Sequence, residues 1–376
     1  MKEITTGKKR ILSLDVFRGL TIAAMILVNT PGDGKHSYAP LKHSVWNGCT
    51  PTDLVFPFFM FIVGVSIVFA LETKKADPAN HKSIISGALR RMLILIGLGL
   101  FIFLFYRFDL QHMRYPGVLQ RIGIVYFIAT LIYLKTSQKT RDWLAGIILV
   151  LYYVLLTYVP VPDGNSPNLE PETNLAAWVD RAVFGLNHLY SHTKLWDPEG
   201  VLSTIPSIVT TLFGIRLGEF LRRTDISVNK ICGNLAIIGI IATILGLLTG
   251  LIFPINKQLW TSSYVLYAAG LCTLGVTAAY WLIDVKGYKK YAWVFVVFGA
   301  NAISSYVVSE IVPGMLNWIS VHQEGNKVKG MKLIYDTVFK PYFSPNNASL
   351  LFAICFVLLI WVLMYVLYRR KIFIKV

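Results

Sequence analysis

Apolar runs about as long as a bilayer is thick, parted by polar turns, recur along the whole chain. Ten of them are predicted as membrane-spanning helices, at 12–29, 53–71, 87–106, 118–134, 143–160, 203–221, 232–253, 262–283, 291–313 and 349–368. Two of the connections are long, 161–202 and 314–348. Both carry aromatic side chains, Trp178 and Trp196 in one and Trp318 and Tyr335 in the other, which suits packing at a membrane mouth better than disorder. No soluble domain, low-complexity tract or short repeat interrupts the pattern. Residues 1–376 therefore read as one all-α, polytopic bundle.

Composition sharpens this. Hydrophobic residues make up 55% of the chain, charged ones 15%, and the mean hydropathy is +0.57. A soluble protein carries roughly a quarter charged residues. The net charge of +16 would suggest nucleic acid in a soluble chain; here its distribution follows the membrane instead, and no nucleic-acid partner is expected. With both termini placed in the cytoplasm, the inner segments hold 22 of the 36 Lys and Arg residues and the outer loops 11. That bias predicts cytoplasmic termini, with Lys8–Arg10 and Arg369–Lys371 inside and the 30–52 loop outside. The first apolar run comes after a basic KKR, as in a signal peptide, but it is long, contains Asp15 and Arg18 and has no small-residue exit. It is read as a retained span. Cys49, Cys232, Cys272 and Cys355 show no CxxC spacing, so neither a disulfide framework nor a zinc site is indicated.

Polar residues at membrane depth fall into two layers. Asp15 and Arg18 lie near the inner end of the first span, and Arg216 and Glu219, also three apart, near the inner end of the sixth. Asn29, Asp53, Gln120, Arg121 and Glu310 lie near outer ends. An Asp or Arg at mid-bilayer costs at least ~2.5 kcal/mol, so something must compensate each. Local ion pairs that pin helix ends account for Asp15–Arg18 and Arg216–Glu219 as well as a functional role does. For Asn301, Ser304 and Ser305 in the ninth span, hydrogen bonding between helices is the plainer expectation. An interfacial aromatic belt is the plain reading of Trp46, Trp178 and Trp196. His43 stands in KHSVWNGCTPTDL, ten residues before Asp53. A neutral imidazole there suits a general base near neutral pH, though a loop histidine is ordinarily polar surface. No HxxxH or HExxH spacing points to a metal.

The string LDVFRG, then VN, a glycine-containing gap, KHSVWNG and TDLVFPFFMFIVGVSI, resembles the heparan-α-glucosaminide N-acetyltransferase family and its bacterial relatives. Further matches are YPGVLQRIGIVYF at 115–127, NHLYSHTKLWDPEGVLSTIPSIV at 187–209 and FGANAISSYVVSEI at 298–311. The resemblance implies an enzyme that takes the acetyl group of cytosolic acetyl-CoA and delivers it across the membrane to the amine of a terminal glucosamine. It places the catalytic histidine of the K-H-x-x-W-N-G block on His43 and implicates Asn29. It also implies a multi-pass protein of a bacterial inner membrane, in which a homodimer is allowed. Against the lysosomal members, a missing lumenal N-terminal domain and a longer gap between Asn29 and His43 are the expected departures.

The two layers fit that chemistry. Arg18 and Arg216, with Arg121 as a further cation, are expected to bind the donor, and the thin pantetheine arm to thread the bundle. His43 is expected to act as base or acetyl acceptor, Asn29 as oxyanion donor, and Asp53 or Glu310 to orient the imidazole. Trp46, Asn47, Glu310 and Trp196 are expected at the sugar. The rival reading is a sugar or sugar-acid transporter, which ten spans and buried charges suit as well.

Overall fold

In the computed structural model, which describes residues 11–106, 108–323 and 326–374, the apolar runs are helices. Lys8–Arg10 lies outside the described residues. In chain order the elements are α1 (Leu12–Asn29), α2 (Pro51–Lys75), α3 (His81–Tyr106), α4 (Val118–Lys135), α5 (Gln138–Tyr158), α6 (Leu175–Phe184), α7 (Val201–Leu221), α8 (Val228–Thr249), α9 (Ser262–Tyr280), α10 (Ala292–Ala300) and α11 (Ala302–Trp318). An antiparallel hairpin, β1 (Ser320–Gln323) and β2 (Asn326–Lys329), pairs Ser320 with Lys329. The short α12 (Gly330–Ile334) and the final α13 (Pro345–Arg369) complete the chain.

Among the described residues nine helices are long and apolar enough to cross a membrane, and α10 with α11 makes a tenth crossing if counted as one span. The continuous helix predicted over 291–313 is broken: α10 and α11 meet at 80°. Asn301 sits at the break, and its side chain does not reach a neighbouring helix as expected. Nδ2 donates to the carbonyl of Ile372 at 3.0 Å, and Oδ1 accepts from the N–H of Ile374 at 2.9 Å. The amide thus behaves like a short strand edge for the segment after α13, and it satisfies backbone groups that would otherwise be unpaired.

Helices α2 and α7 lie at the centre, while α3, α8 and α13 turn apolar faces outward. The central pair meets backbone to backbone. A Cβ built at Gly64 would come 2.0 Å from the Thr211 carbonyl oxygen, and one at Gly214 would come 1.9 Å from that of Phe61. The same holds for α1 and α10, where a Cβ at Gly19 would lie 1.8 Å from the Phe295 oxygen and one at Gly299 2.1 Å from that of Asp15. Small residues permit this approach, which maximises dispersion contacts where lipid removes the hydrophobic drive between helices.

The long 161–202 connection is ordered by α6. Asn174 caps it, its side chain accepting from the Ala177 N–H at 2.9 Å. Asp180 then ties α6 to the start of α7: its carboxylate accepts from the N–H groups of Val201 at 2.9 Å and Asp197 at 3.3 Å. Burial pushes the Asp180 carboxyl up to about 7, against those two backbone donors. At the far end of α7 the expected Arg216–Glu219 pair is absent. Arg216 stands 3.5 Å from Asp142, and Glu219 accepts from Arg141, so both side chains turn to α5. The Asp15–Arg18 pair does form, at 3.2 Å.

Candidate active site

The loop between α1 and α2 presents His43, and the first turn of α2 holds that loop in place. Thr50 is the N-cap of α2 and Pro51 fits the first helical position. Thr50 Oγ1 donates to the Lys42 carbonyl at 2.7 Å, and Thr52 Oγ1 donates to that of Pro40 at 3.0 Å. These bonds tie the chain just before His43 to the helix start. Gly48, at φ 107°, makes the turn that only glycine enters freely, and its N–H donates to the Ile255 carbonyl at 2.7 Å.

Asp53 is fully buried, and its Oδ1 lies 2.6 Å from Nδ1 of His43. The other oxygen accepts from the N–H groups of Ser44 at 3.0 Å and Thr50 at 2.9 Å. A carboxylate surrounded by backbone donors is an acceptor only. It therefore fixes the hydrogen of His43 on Nδ1 and leaves the lone pair on Nε2. The ring remains 44% exposed, which opens that nitrogen to a ligand. Asp53 is the carboxylate bonded to His43; Glu310 stands on α11, with its main-chain carbonyl accepting from Tyr106 and its charge acting on Tyr190 of the cavity wall.

His43 and Asn29 line one cavity of about 210 Å³ with Arg114, Tyr190, Glu199 and Lys257. Its floor is apolar, formed by Met25, Val55, Phe56 and Val118. Arg114 binds two carboxylates, Nε donating to Asp197 at 2.8 Å and Nη2 to Glu199 at 2.5 Å. Burial opposes the charge on Glu199, but Arg114, Arg121 and Lys257 outweigh it and hold the carboxyl below its ordinary range. Cys49 does not line the cavity, and burial, reinforced by Asp53, pushes its thiol up to about 12. Lys257, Arg114, Tyr190 and Glu199 were not singled out from the sequence. The only signals there were a lone lysine in the short INKQLW turn and the acidic DPEG beside Trp196.

Other expected residues have different surroundings. Trp46 donates from its indole to the Leu169 carbonyl at 2.8 Å and packs edge-on against Trp196, centroids 5.0 Å apart. Asn47 accepts from Asn256 at 3.1 Å. All three hold loops together at the rim. Arg121 is buried, donates to the Gly200 carbonyl at 3.2 Å and to Ser203, and lies 5.2 Å from the Trp260 ring. Among the described residues its Nε and Nη1 have no hydrogen-bond partner.

Toward the other end of α2 are two adjoining cavities. One, of about 430 Å³, is lined by Arg18, Ser66, Arg91, Tyr126, Ile303 and Ile374. The other, of about 450 Å³, is lined by Lys74, Asn80, Ser83, Arg90, Arg91 and Tyr126. Arg91 and Tyr126 are common to both, with the guanidinium 4.4 Å from the ring centroid. Arg91 Nε is buried without a hydrogen-bond partner among the described residues. Arg18 donates to Ser66 at 2.7 Å and to Asp15. Arg216 is not part of this set; it lines a separate, mainly apolar cavity between α7, α8 and α9. Along α2, Phe56 borders the His43 cavity and Phe59 the Arg18 cavity. Three residues of helix separate them, about 4.5 Å. Among the described residues no group of three or more His, Cys, Asp or Glu side chains is placed to hold a metal.

The family model described as "Heparan-alpha-glucosaminide N-acetyltransferase, catalytic" matches residues 10–246. Proteins named heparan-alpha-glucosaminide N-acetyltransferase from Mus musculus and Homo sapiens are each 29% identical to the chain, over 430 and 428 residues. The matches take in 99% and 98% of this chain but 61% and 60% of the relatives, so the chain spans about six tenths of their length.

Proposed function

Because the chain belongs to the heparan-α-glucosaminide N-acetyltransferase catalytic family, we propose that it is a multi-pass membrane acetyltransferase with acetyl-CoA as donor and a glucosamine-type amino sugar as acceptor. The donor and acceptor reach the site from opposite ends of α2. The observation that carries this reading is His43, held by Asp53 at 2.6 Å and lining a cavity one helical turn from a second cavity lined with cations.

At the Arg18 end, Arg90, Arg91, Lys74 and Arg18 supply positive charge for the phosphates of CoA. Arg91 is the best placed, stacked on Tyr126 between the two cavities. The pantetheine arm is thin enough to run along the apolar side of α2 past Phe59 and Phe56. At the His43 end the acceptor occupies the cavity bordered by Tyr190 and Glu199, with the carboxylate favouring the amino group. Nε2 of His43 takes a proton from the amine as nitrogen attacks the thioester, and Asp53 holds the imidazole in the competent tautomer. Asn29 stands on the same cavity wall and can donate to the developing oxyanion.

Purified protein in lipid, given acetyl-CoA labelled in the acetyl group together with glucosamine, is expected to form labelled N-acetylglucosamine and an equal amount of free CoA. Movement of sugar into liposomes with no CoA released would replace this reading with a transporter.

A further inference from the structure

The turn between α8 and α9 holds Lys257 against the ring of His43. Its Nζ lies 3.3 Å from Nδ1 and 3.5 Å from Nε2. The near-equal distances put the ammonium off both lone-pair axes, since a donor in line with one nitrogen would stand much farther from the other. Nε2 therefore keeps its lone pair for an incoming amine. Lys257 also extends from a fixed backbone. Its neighbour Asn256 is fully buried; its N–H donates to Thr261 at 3.0 Å and its side chain accepts from the Leu259 N–H at 2.9 Å. Ile255, on the other side, receives the bond from Gly48. Among the described residues no carboxylate comes within 4.0 Å of the Lys257 ammonium. Placing a cation in such a cavity costs desolvation that no direct ion pair offsets, so packing alone is a poor account of it.

We propose that Lys257 is a catalytic residue of acetyl transfer, its Nζ donating a hydrogen bond to the thioester carbonyl oxygen as that oxygen becomes negative. The assignment rests on the acetyltransferase reading above. The acceptor nitrogen forms its bond to the carbonyl carbon, and the carbon–oxygen π pair moves onto oxygen beside Lys257. The amine proton passes to Nε2 of His43. When the carbonyl re-forms, the carbon–sulfur bond breaks, and CoA leaves as a thiol carrying the proton from His43. Lys257 keeps its charge throughout, and a preset cation costs no reorganisation at the moment of reaction.

The groups facing Lys257 are Asp53 on α2, Glu199 before α7, Arg121 on α4, and His43 and Cys49 on the loop before α2, with Arg114 also in the cavity wall. Burial holds the ammonium below the ordinary lysine range, against the pull of Glu199 and Asp53. Its charge is therefore lost at lower pH than that of a surface lysine, and the transfer rate is expected to fall on the alkaline side.

The test compares wild type, Lys257→Met and Lys257→Arg in lipid, measuring transfer from acetyl-CoA to glucosamine against pH, with acetyl-CoA binding in parallel. Lys257→Met is expected to bind acetyl-CoA within about threefold of wild type and to lose ~100-fold or more in kcat. Lys257→Arg is expected to recover part of the rate and to move the alkaline fall to higher pH, because a guanidinium stays charged. A lysine with only a structural role would not move that limb. The assignment is overturned by a kcat for Lys257→Met within about threefold of wild type. It is equally overturned by an unmoved alkaline limb in Lys257→Arg, a result that stands even where the Met variant does not fold. Wild-type protein that acetylates no amine would instead remove the acetyltransferase reading on which the assignment rests.

Discussion

One oxygen of Asp53 lies 2.6 Å from Nδ1 of His43, and the other accepts from the N–H of Thr50 at 2.9 Å. A single carboxylate thus closes the first turn of a membrane span and sets the tautomer of the imidazole. The rigidity of the helix start is passed directly to the base.

Asp53→Asn is expected to separate those two duties. The amide oxygen can still accept from Thr50, so the loss in stability should stay near ~1 kcal/mol. Its N–H, however, faces Nδ1 and drives the ring hydrogen onto Nε2. The rate of transfer should fall ~100-fold or more while the thermal midpoint changes little. Transfer at the wild-type rate would show that the tautomer does not matter.

His43→Ala should bind acetyl-CoA normally and lose ~100-fold or more in transfer at saturating donor and acceptor. His36→Ala should be nearly silent. His36 lies in an exposed turn paired with Asp33 at 2.7 Å, and it does not line the cavity. Equal losses in the two variants would argue for general damage to the loop.

Arg91→Ala is expected to raise the KM for acetyl-CoA about tenfold, the worth of one charge-assisted contact. It should leave the KM for acetyl-pantetheine unchanged, because that donor lacks the nucleotide phosphates. Arg216→Ala should change neither, since its neighbours are Asp142 and apolar side chains. An unchanged acetyl-CoA KM in Arg91→Ala would move the phosphate site elsewhere.

Asp180 makes stability depend on pH. Burial raises its carboxyl to about 7, well above the value in an unfolded chain. The folded state then binds a proton that the unfolded state has lost, so this contribution is full below about pH 4 and disappears as pH rises through 7. Thermal midpoints measured from about pH 5 to about pH 8 should decline, and Asp180→Asn should flatten that decline. A wild-type midpoint that climbs steadily over this range would contradict it.

Much of the fold was legible because hydropathy reports depth. Each apolar run marked a helix or, at 291–313, a bent pair of helices, and His43 and Asp53 were bound to meet because a two-helix hairpin brings its ends together. Depth does not report which way a side chain points around its helix. Arg18 and Arg216 were matched by level, yet Arg18 faces the cavity along α2 while Arg216 turns to α5. The break at Asn301 was hidden for a related reason: both halves are apolar, and the partners of the amide are Ile372 and Ile374, some seventy residues on. Lys257 meets His43 across 214 residues of sequence, beyond the reach of any local pattern.

The glycine contacts at Gly64, Gly214, Gly19 and Gly299 bear on how anything crosses this protein. Alternating access requires two bundles to rock against each other about a central substrate site. Here the central helices touch backbone to backbone at these glycines. Helices α2 and α7, and likewise α1 and α10, cannot slide by even part of a turn without driving main-chain atoms into one another. Each of these two pairs therefore moves as one body. Any rocking that carried a substrate would have to fall between these pairs and not within them, whereas an acyl group on a flexible arm would need only a standing groove.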